Sequence, residues 1–349
     1  MKAVVNVGLI GYGFASKTFH APLIQATEGL ALTAIVSSDA ANVHKDFPDI
    51  DVEADANALF ARVDIDLVVI PTPNDTHFAL AKAALNAGKH VVIDKPFTVT
   101  LFEAKQLKSL AVAKDCLLSV FHNRRWDSDF LTLKALLAEG TLGRITGFES
   151  RFDRFRPEVP DRWRENGMPG SGLWYDLGPH LLDQACELFG MPTAILLEQG
   201  ARRDGAKADD DFLALLEYDG LRVTLSAGTL VAEPTPRYRV HGTQGGYLKF
   251  GLDPQEARLK AGETPMPHWG ADAPGELLVN AQASQTLERR EHPTLPGDYL
   301  AYYQGVASAV RLGEPLPVSV DDALRCMTLL EAGLDSYRQR RWIALKLNP

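Results

Sequence analysis

The sequence predicts an α/β protein in two parts: an N-terminal doubly wound parallel sheet, then an α+β domain with a large open, mainly antiparallel sheet. Three observations carry this. Short Val/Ile/Leu runs alternate with helical patterns over the first third of the chain, as parallel strands buried on both faces require. After about residue 122 the pattern changes to alternating strands, with Asp219-Gly220 marking a hairpin between two of them. Finally, 349 residues exceed what one ordinary core organises. The expected domains are residues 1–122 and 123–349.

In chain order, strands are expected at Val4–Ile10, Leu32–Val36, Leu67–Ile70, His90–Ile93 and Leu117–Phe121. Helical patterns lie between them near Phe19–Glu28, Ala56–Arg62, Thr76–Ala87 and Leu101–Lys114. Gly88 reads as a helix stop, and Pro96 makes the residue before it extended. The second part opens with a helix over Phe130–Glu139, closed by Gly140. Strands follow at Ile145–Phe155, Ala194–Ala201, Phe212–Tyr218, Arg222–Leu230, Tyr238–His241 and Gly246–Phe250. Residues 252–297, rich in Pro, Gly and charge, read as a long irregular excursion. Two last helices, Tyr299–Leu312 and Val320–Arg340, close the chain.

Composition excludes several classes of function. Against 36 basic side chains stand 45 acidic ones, and the basic residues are scattered, so no nucleic-acid partner is expected. No stretch has the length and apolarity to cross a membrane. Cys116, Cys186 and Cys326 are odd in number and far apart, which argues against disulfides and thiolate metal sites and fits the cytoplasm. No metal site is expected, since no third ligand joins the His/Asp pair described below. A Gly-x-Ser-x-Gly elbow and a Walker lysine are both missing, so acyl and phosphoryl transfer lack support.

The richest motif is Gly11-Tyr12-Gly13-Phe14-Ala15-Ser16, which follows the first strand and opens a helix. Gly11 lets the chain turn tightly, and Gly13 removes a Cβ that would hold a pyrophosphate away from the backbone. The N–H groups of the next helix then face the anion. This is the layout of a Rossmann dinucleotide site, with Ser16 standing at the third glycine position. An acid at the end of the second strand would bind the ribose hydroxyls of NAD and repel a 2′-phosphate. Here that position reads Ser37, Ser38 and only then Asp39, so NADP(H) is favoured over NAD(H).

Ligands of open α/β sheets gather beyond the carboxyl ends of the strands, which selects Pro71 to Asn74 with His77, Asp94-Lys95-Pro96, and His122 to Arg125. Lys95 can polarise a carbon–oxygen bond during hydride transfer, with Asp94 holding it; a solvated loop lysine is the plain alternative. Asp176 and His180, four residues apart, share a helix face. Pro179 suits a first turn, which would put His180 near the helix N-terminus, where the dipole disfavours imidazolium and Asp176 favours it. That opposition suits a base working near neutral pH, while an N-capping Asp beside an ordinary His fits the same spacing.

Together these segments resemble the glucose–fructose oxidoreductase/inositol dehydrogenase (Gfo/Idh/MocA) family over nearly the whole chain. The resemblance rests on Gly11-x-Gly13, Pro71-Thr72-Pro73-Asn74-Asp75-Thr76-His77, Asp94-Lys95-Pro96 and Asp176-Leu177-Gly178-Pro179-His180. Phe19-His20-Ala21-Pro22, Asn123-Arg124-Arg125-Trp126 and Trp174-Tyr175-Asp176 are similar to a branch that includes NADP-dependent scyllo-inositol dehydrogenases. The resemblance implies that Lys95, Asp176 and His180 are catalytic, with His180 the proton acceptor. It also implies that Thr72, Pro73, Asn74 and His77 form the loop on the nicotinamide side. Asp94 departs from the family's Glu-Lys-Pro. The substrate it implies is a polyol or sugar, lined by Asn123, Trp163 and Tyr175. Two other readings stay open: a non-catalytic dinucleotide sensor, and a reductase of another sugar-like carbonyl. A one-sided antiparallel sheet leaves a broad face to cover, so a homodimer or homotetramer is expected.

Overall fold

The structure, a computed structural model, describes residues 4–280 and 286–345. It divides into two compact units that interleave along the chain. Of the described residues, the first takes 4–126, 254–269 and 298–324; the second takes 127–253, 270–280, 286–297 and 325–345.

In the first unit the strands are β1 (Val5–Ile10), β2 (Leu30–Val36), β3 (Asp51–Glu53), β4 (Leu67–Ile70), β5 (His90–Ile93) and β6 (Leu118–Val120). They form one parallel sheet in the order β3-β2-β1-β4-β5-β6. That order reverses direction between β1 and β4, the switch point where a doubly wound sheet opens a ligand crevice. Helices α1 (Ala21–Ala26), α2 (Ala40–Asp46), α3 (Ala56–Ala61), α4 (His77–Asn86) and α5 (Leu101–Ala113) make the crossovers. The strands are continuous apolar runs because both faces are covered: Val7, Leu9, Val69, Ile70 and Ile93 are wholly buried. Helix α5 starts at a complete capping box, Thr100 accepting from the Glu103 N–H and Glu103 from that of Thr100.

The second unit opens with α6 (Ser128–Ala138), β7 (Ile145–Arg151) and α7 (Leu173–Phe189). Its strands continue as β8 (Ala194–Gly200), β9 (Asp211–Tyr218), β10 (Leu221–Gly228), β11 (Tyr238–Gly242) and β12 (Gly245–Lys249). Between β12 and β13 the chain visits the first unit as α8 (Gln255–Lys260). It then returns for β13 (Gly275–Asn280) and β14 (Leu287–His292). Helix α9 (Leu300–Leu312) lies in the first unit, α10 (Val320–Gln339) follows, and β15 (Ile343–Ala344) ends the sheet. The nine strands run β14-β13-β12-β11-β7-β10-β9-β8-β15, antiparallel throughout except for the parallel β7–β10 pair.

Residues 252–297, read as irregular from their Pro, Gly and charge, therefore contain a short helix and a hairpin, β13–β14. Their strand signal was hidden because β14, Leu-Glu-Arg-Arg-Glu-His, is mostly charged and exposed and shows no apolar alternation. The Phe19–Glu28 helix divides into a π-helical turn, Ser16–His20, and α1.

Helix α7 gives the second unit its core. Trp174, Leu177, Leu181, Leu182 and Ala185 are buried at helical spacing along one face. The Trp174 ring meets Phe212 of β9 edge-on at 4.9 Å, and its Nε1–H donates to the Leu330 carbonyl at 3.1 Å. A Cβ on Gly178 would lie 2.9 Å from that indole, so glycine there admits the ring. The helix starts at Leu173, earlier than the first-turn placement of Pro179 requires. Pro179 lies inside α7, and His180 stands seven residues beyond its first residue, out of reach of a dipole effect confined to the first turn.

Candidate active site

Within the first unit, the residues picked out by the sequence collect at the carboxyl ends of the parallel strands. Gly11, with φ +85°, makes the turn after β1, and its N–H donates to the Val36 carbonyl of β2 at 2.9 Å. Nothing lies within 4 Å of where a Gly13 Cβ would be, which leaves the open backbone a pyrophosphate needs. Ser16 is buried and donates its hydroxyl to the Gly11 carbonyl at 2.8 Å, so it pins the turn that a third glycine would only permit. Tyr12 turns inward, its hydroxyl donating to Asp46 at 2.7 Å, while Phe14 is exposed. Ala15 leads into the π-helical turn.

At the end of β2, the Asp39 carboxylate caps α2 by accepting from the Asn42 N–H at 3.0 Å. The Ser37 hydroxyl accepts from the Asp39 N–H at 3.1 Å, and Ser38 is exposed beside it. The acid that follows the two serines is thus engaged at a helix end.

The loop after β4 is tied internally. The Thr72 and Thr76 hydroxyls are 2.6 Å apart, and Thr76 donates to the Pro73 carbonyl at 2.7 Å. Asn74 is buried there. His77 is wholly buried with Nδ1 2.9 Å from the Pro96 carbonyl and Nε2 2.9 Å from that of Thr72. Its ring therefore braces the loop after β4 against the loop after β5. Burial pushes its pKa below the usual imidazole value, outweighing the opposing pull of Asp94.

The Lys95–Pro96 bond is cis. Asp94 accepts from the Lys95 N–H at 2.7 Å, fixing the lysine's backbone. Asp94 also lies 3.9 Å from His20 Nε2, an ion-pair distance, and His20 Nδ1 is 2.6 Å from the Tyr303 hydroxyl. Burial works against the Asp94 charge, but His20, Lys95 and His77 together more than offset it and hold the carboxyl at about 2. Asn123 is buried in the turn after β6.

Within the second unit, Tyr175, Asp176 and His180 all lie on α7, with His180 buried. Trp163 is half-buried in a short turn, with the Arg164 guanidinium stacked 4.4 Å from its ring centre. The Arg164 Nε is 3.4 Å from the Asp176 carboxylate. Gly172, at φ +90°, precedes α7, and the Asp209 carboxylate accepts the Trp174 N–H at 2.6 Å. Burial pushes Asp209 up to about 6. Arg164 and Asp209 escaped the sequence reading: one is a capping acid supplied from a distant loop, the other an arginine without a motif. Among the described residues, no group of three or more His, Cys, Asp or Glu could hold a metal ion.

A glycine turn after the first strand of a six-stranded parallel sheet, with the loops after β4, β5 and β6 at the same edge, is the arrangement of a dinucleotide-binding Rossmann unit. Residues 5–122 match the oxidoreductase family NAD-binding Rossmann fold, and residues 134–345 match the same family's C-terminal alpha/beta domain. The chain belongs to the Gfo/Idh/MocA oxidoreductase family and is a dehydrogenase or reductase. It is 53% identical to the uncharacterized oxidoreductase YdgJ of Escherichia coli, over 98% of this chain and 99% of that one. It is also 38% identical to the scyllo-inositol 2-dehydrogenase (NADP(+)) IolW of Bacillus subtilis, over 98% and 96%. A solved Yersinia pestis structure superposes with a TM-score of 0.95 at 54% identity, covering 100% of this chain and 99% of its own. Among the described residues, no helix is long and apolar enough to cross a membrane.

Proposed function

We propose that the protein transfers hydride between NADP(H) and a secondary alcohol or ketone of a polyol or sugar. The observation that carries this is Lys95, its backbone fixed by Asp94, among the carboxyl-end loops that also hold the glycine turn. The open backbone at Gly13 fits a pyrophosphate, and the nicotinamide, when bound, supplies the hydride acceptor. In the oxidative direction His180 takes the hydroxyl proton as the carbinol C–H bond breaks, leaving a ketone. Lys95 stabilises the developing alkoxide, and Asp176 orients His180. Asn123, Trp163 and Tyr175 line the substrate, where aromatic faces suit a hydroxylated ring. His77, Thr72, Pro73 and Asn74 keep the nicotinamide-side loop in shape, with His77 acting as its brace.

Two features support NADP over NAD: Ser37 and Ser38 offer hydroxyls where an acid would repel a 2′-phosphate, and Asp39 is spent on α2. The named cofactor and substrate of the 38% identical Bacillus subtilis relative point the same way. The set of Lys95, Asp176 and His180 favours an enzyme over a sensor, which needs no proton-transfer group. Reduction of NADP and of NAD across a panel of inositols and sugars tests the reading. Turnover with NADP and a polyol supports it, and tight NADPH binding with silence across the panel favours a carbonyl reductase or a sensor.

The outer face of the large sheet sets Leu196 and Leu215 opposite each other, with Leu213 exposed beside them. We infer that a second copy covers this face in a homodimer or homotetramer.

A further inference from the structure

The second unit encloses a cavity of about 280 Å³ into which five arginines project: Arg154, Arg156, Arg162, Arg164 and Arg203. Asp176 lines it too. The arrangement follows from the backbone. Beyond β7 the chain stays extended, the Arg154 N–H donating to the Gly228 carbonyl at 2.8 Å and the Arg156 N–H to that of Thr229 at 2.7 Å. Alternation then turns Phe152, Arg154 and Arg156 toward the cavity and leaves Phe155 exposed.

The five acids on the wall do not cancel these charges evenly. Arg203, whose side chain is only 2% exposed, engages Asp210 at 2.8 Å and Glu165 at 2.7 Å. Glu165 also takes Arg162, at 2.8 Å, and Asp176 faces Arg164. Asp209 accepts a helix N–H. Glu158 alone of the acids keeps its carboxylate outside such contacts, and the Arg156 guanidinium has no ion pair or hydrogen bond among the described residues. The buried Arg203 network ties Glu165 to Asp210 across the wall, and Arg154 and Arg156 alternate along one edge with both residues lining the cavity.

We infer that this cavity is an oxyanion subsite, and that the substrate is a polyol or sugar bearing a carboxylate or a phosphate, gripped by Arg154 and Arg156. The inference rests on the hydride-transfer reading, because Asp176 of the same cavity serves that reaction. Neutral polyols would leave the guanidinium forks facing hydroxyls, a weaker match than an oxyanion.

The test compares matched substrates: glucose, glucuronate and glucose 6-phosphate, each with NADP. The expected result is kcat/KM about tenfold or more higher for one acidic member than for glucose, which also tells carboxylate from phosphate. R154Q and R156Q should each shrink that ratio by about tenfold or more, mainly through KM. A ratio near unity, or one that the variants leave intact, overturns the subsite. Calorimetric binding of glucuronate and glucose 6-phosphate to the wild-type chain and to R156Q reads the subsite without turnover. Binding that R156Q loses, with no turnover of any sugar, upholds the subsite and contradicts the hydride-transfer reading. Absence of binding in the millimolar range contradicts the subsite whatever the enzyme turns over.

Discussion

Asp94 fixes the backbone of Lys95, the residue to which the proposed hydride transfer assigns alkoxide stabilisation. The Lys95→Ala variant is expected to lower kcat by about 10³-fold, through loss of alkoxide stabilisation, while NADPH affinity measured by fluorescence stays close to wild type. Asp94 adds a stability term whose sign follows from its depressed pKa. A carboxyl at about 2 in the folded chain, against about 4 unfolded, contributes stability above pH 4 that is lost as pH falls toward 2. Acid unfolding followed by circular dichroism should therefore show about 2 kcal/mol less pH-dependent loss in Asp94→Asn over that window. Equal acid limbs for the two proteins would show that His20 and Lys95 do not hold the charge. That the glycine turn and Asp94-Lys95 stand at the carboxyl ends of parallel strands was legible because each follows directly on an apolar strand run. His77 was legible only as a loop residue, since its bracing of Thr72 to Pro96 joins chain segments that nothing in the sequence places side by side.

Helices and strands were readable where burial imposes a period. The parallel strands announced themselves as unbroken apolar runs, and α5 announced its start with Thr100 and Glu103. Replacing Thr100 with Ala should cost about 1 kcal/mol in chemical denaturation, the usual worth of a cap. That Asp176 and His180 share one helix was legible from their spacing, but Pro179 suggested a first turn near His180, and it lies inside α7 instead. Its Gly178 is a packing residue: Gly178→Ala would press a methyl 2.9 Å from the Trp174 ring and should destabilise the protein by about 1–3 kcal/mol. An unchanged melting temperature would mean that the indole has room to move. The hairpin β13–β14 was hidden for the opposite reason, as β14, charged and exposed, carries no apolar rhythm.

For the molecule as a whole, the alternation of strands and helices pointed to the fold class, and the alternating strand patterns with the Asp219-Gly220 turn pointed to the open sheet. The parallel β7–β10 pair and the returns of α8 and α9 to the first unit were not legible, since local sequence states an element's type but not its neighbours. The arginine-lined cavity escaped for the same reason: basic residues scattered along 154–203 converge only when the chain folds. The leucine patch of Leu196, Leu213 and Leu215 on the outer face of the sheet predicts self-association. Light scattering should give a dimer or tetramer for the wild-type chain and a smaller species for Leu213→Asp, whereas a wild-type monomer would remove that face as an interface.

The central claim is hydride transfer from a carbinol carbon with Lys95 and His180 in attendance. Its most direct test is the transfer of deuterium from a polyol labelled at the reacting carbon into NADPH, read by mass spectrometry, in wild type and in Lys95→Ala and His180→Ala. The account predicts deuterium in the reduced nucleotide, with both variants slowed by about 10²-fold or more. Unlabelled NADPH, or full turnover by either variant, would contradict it.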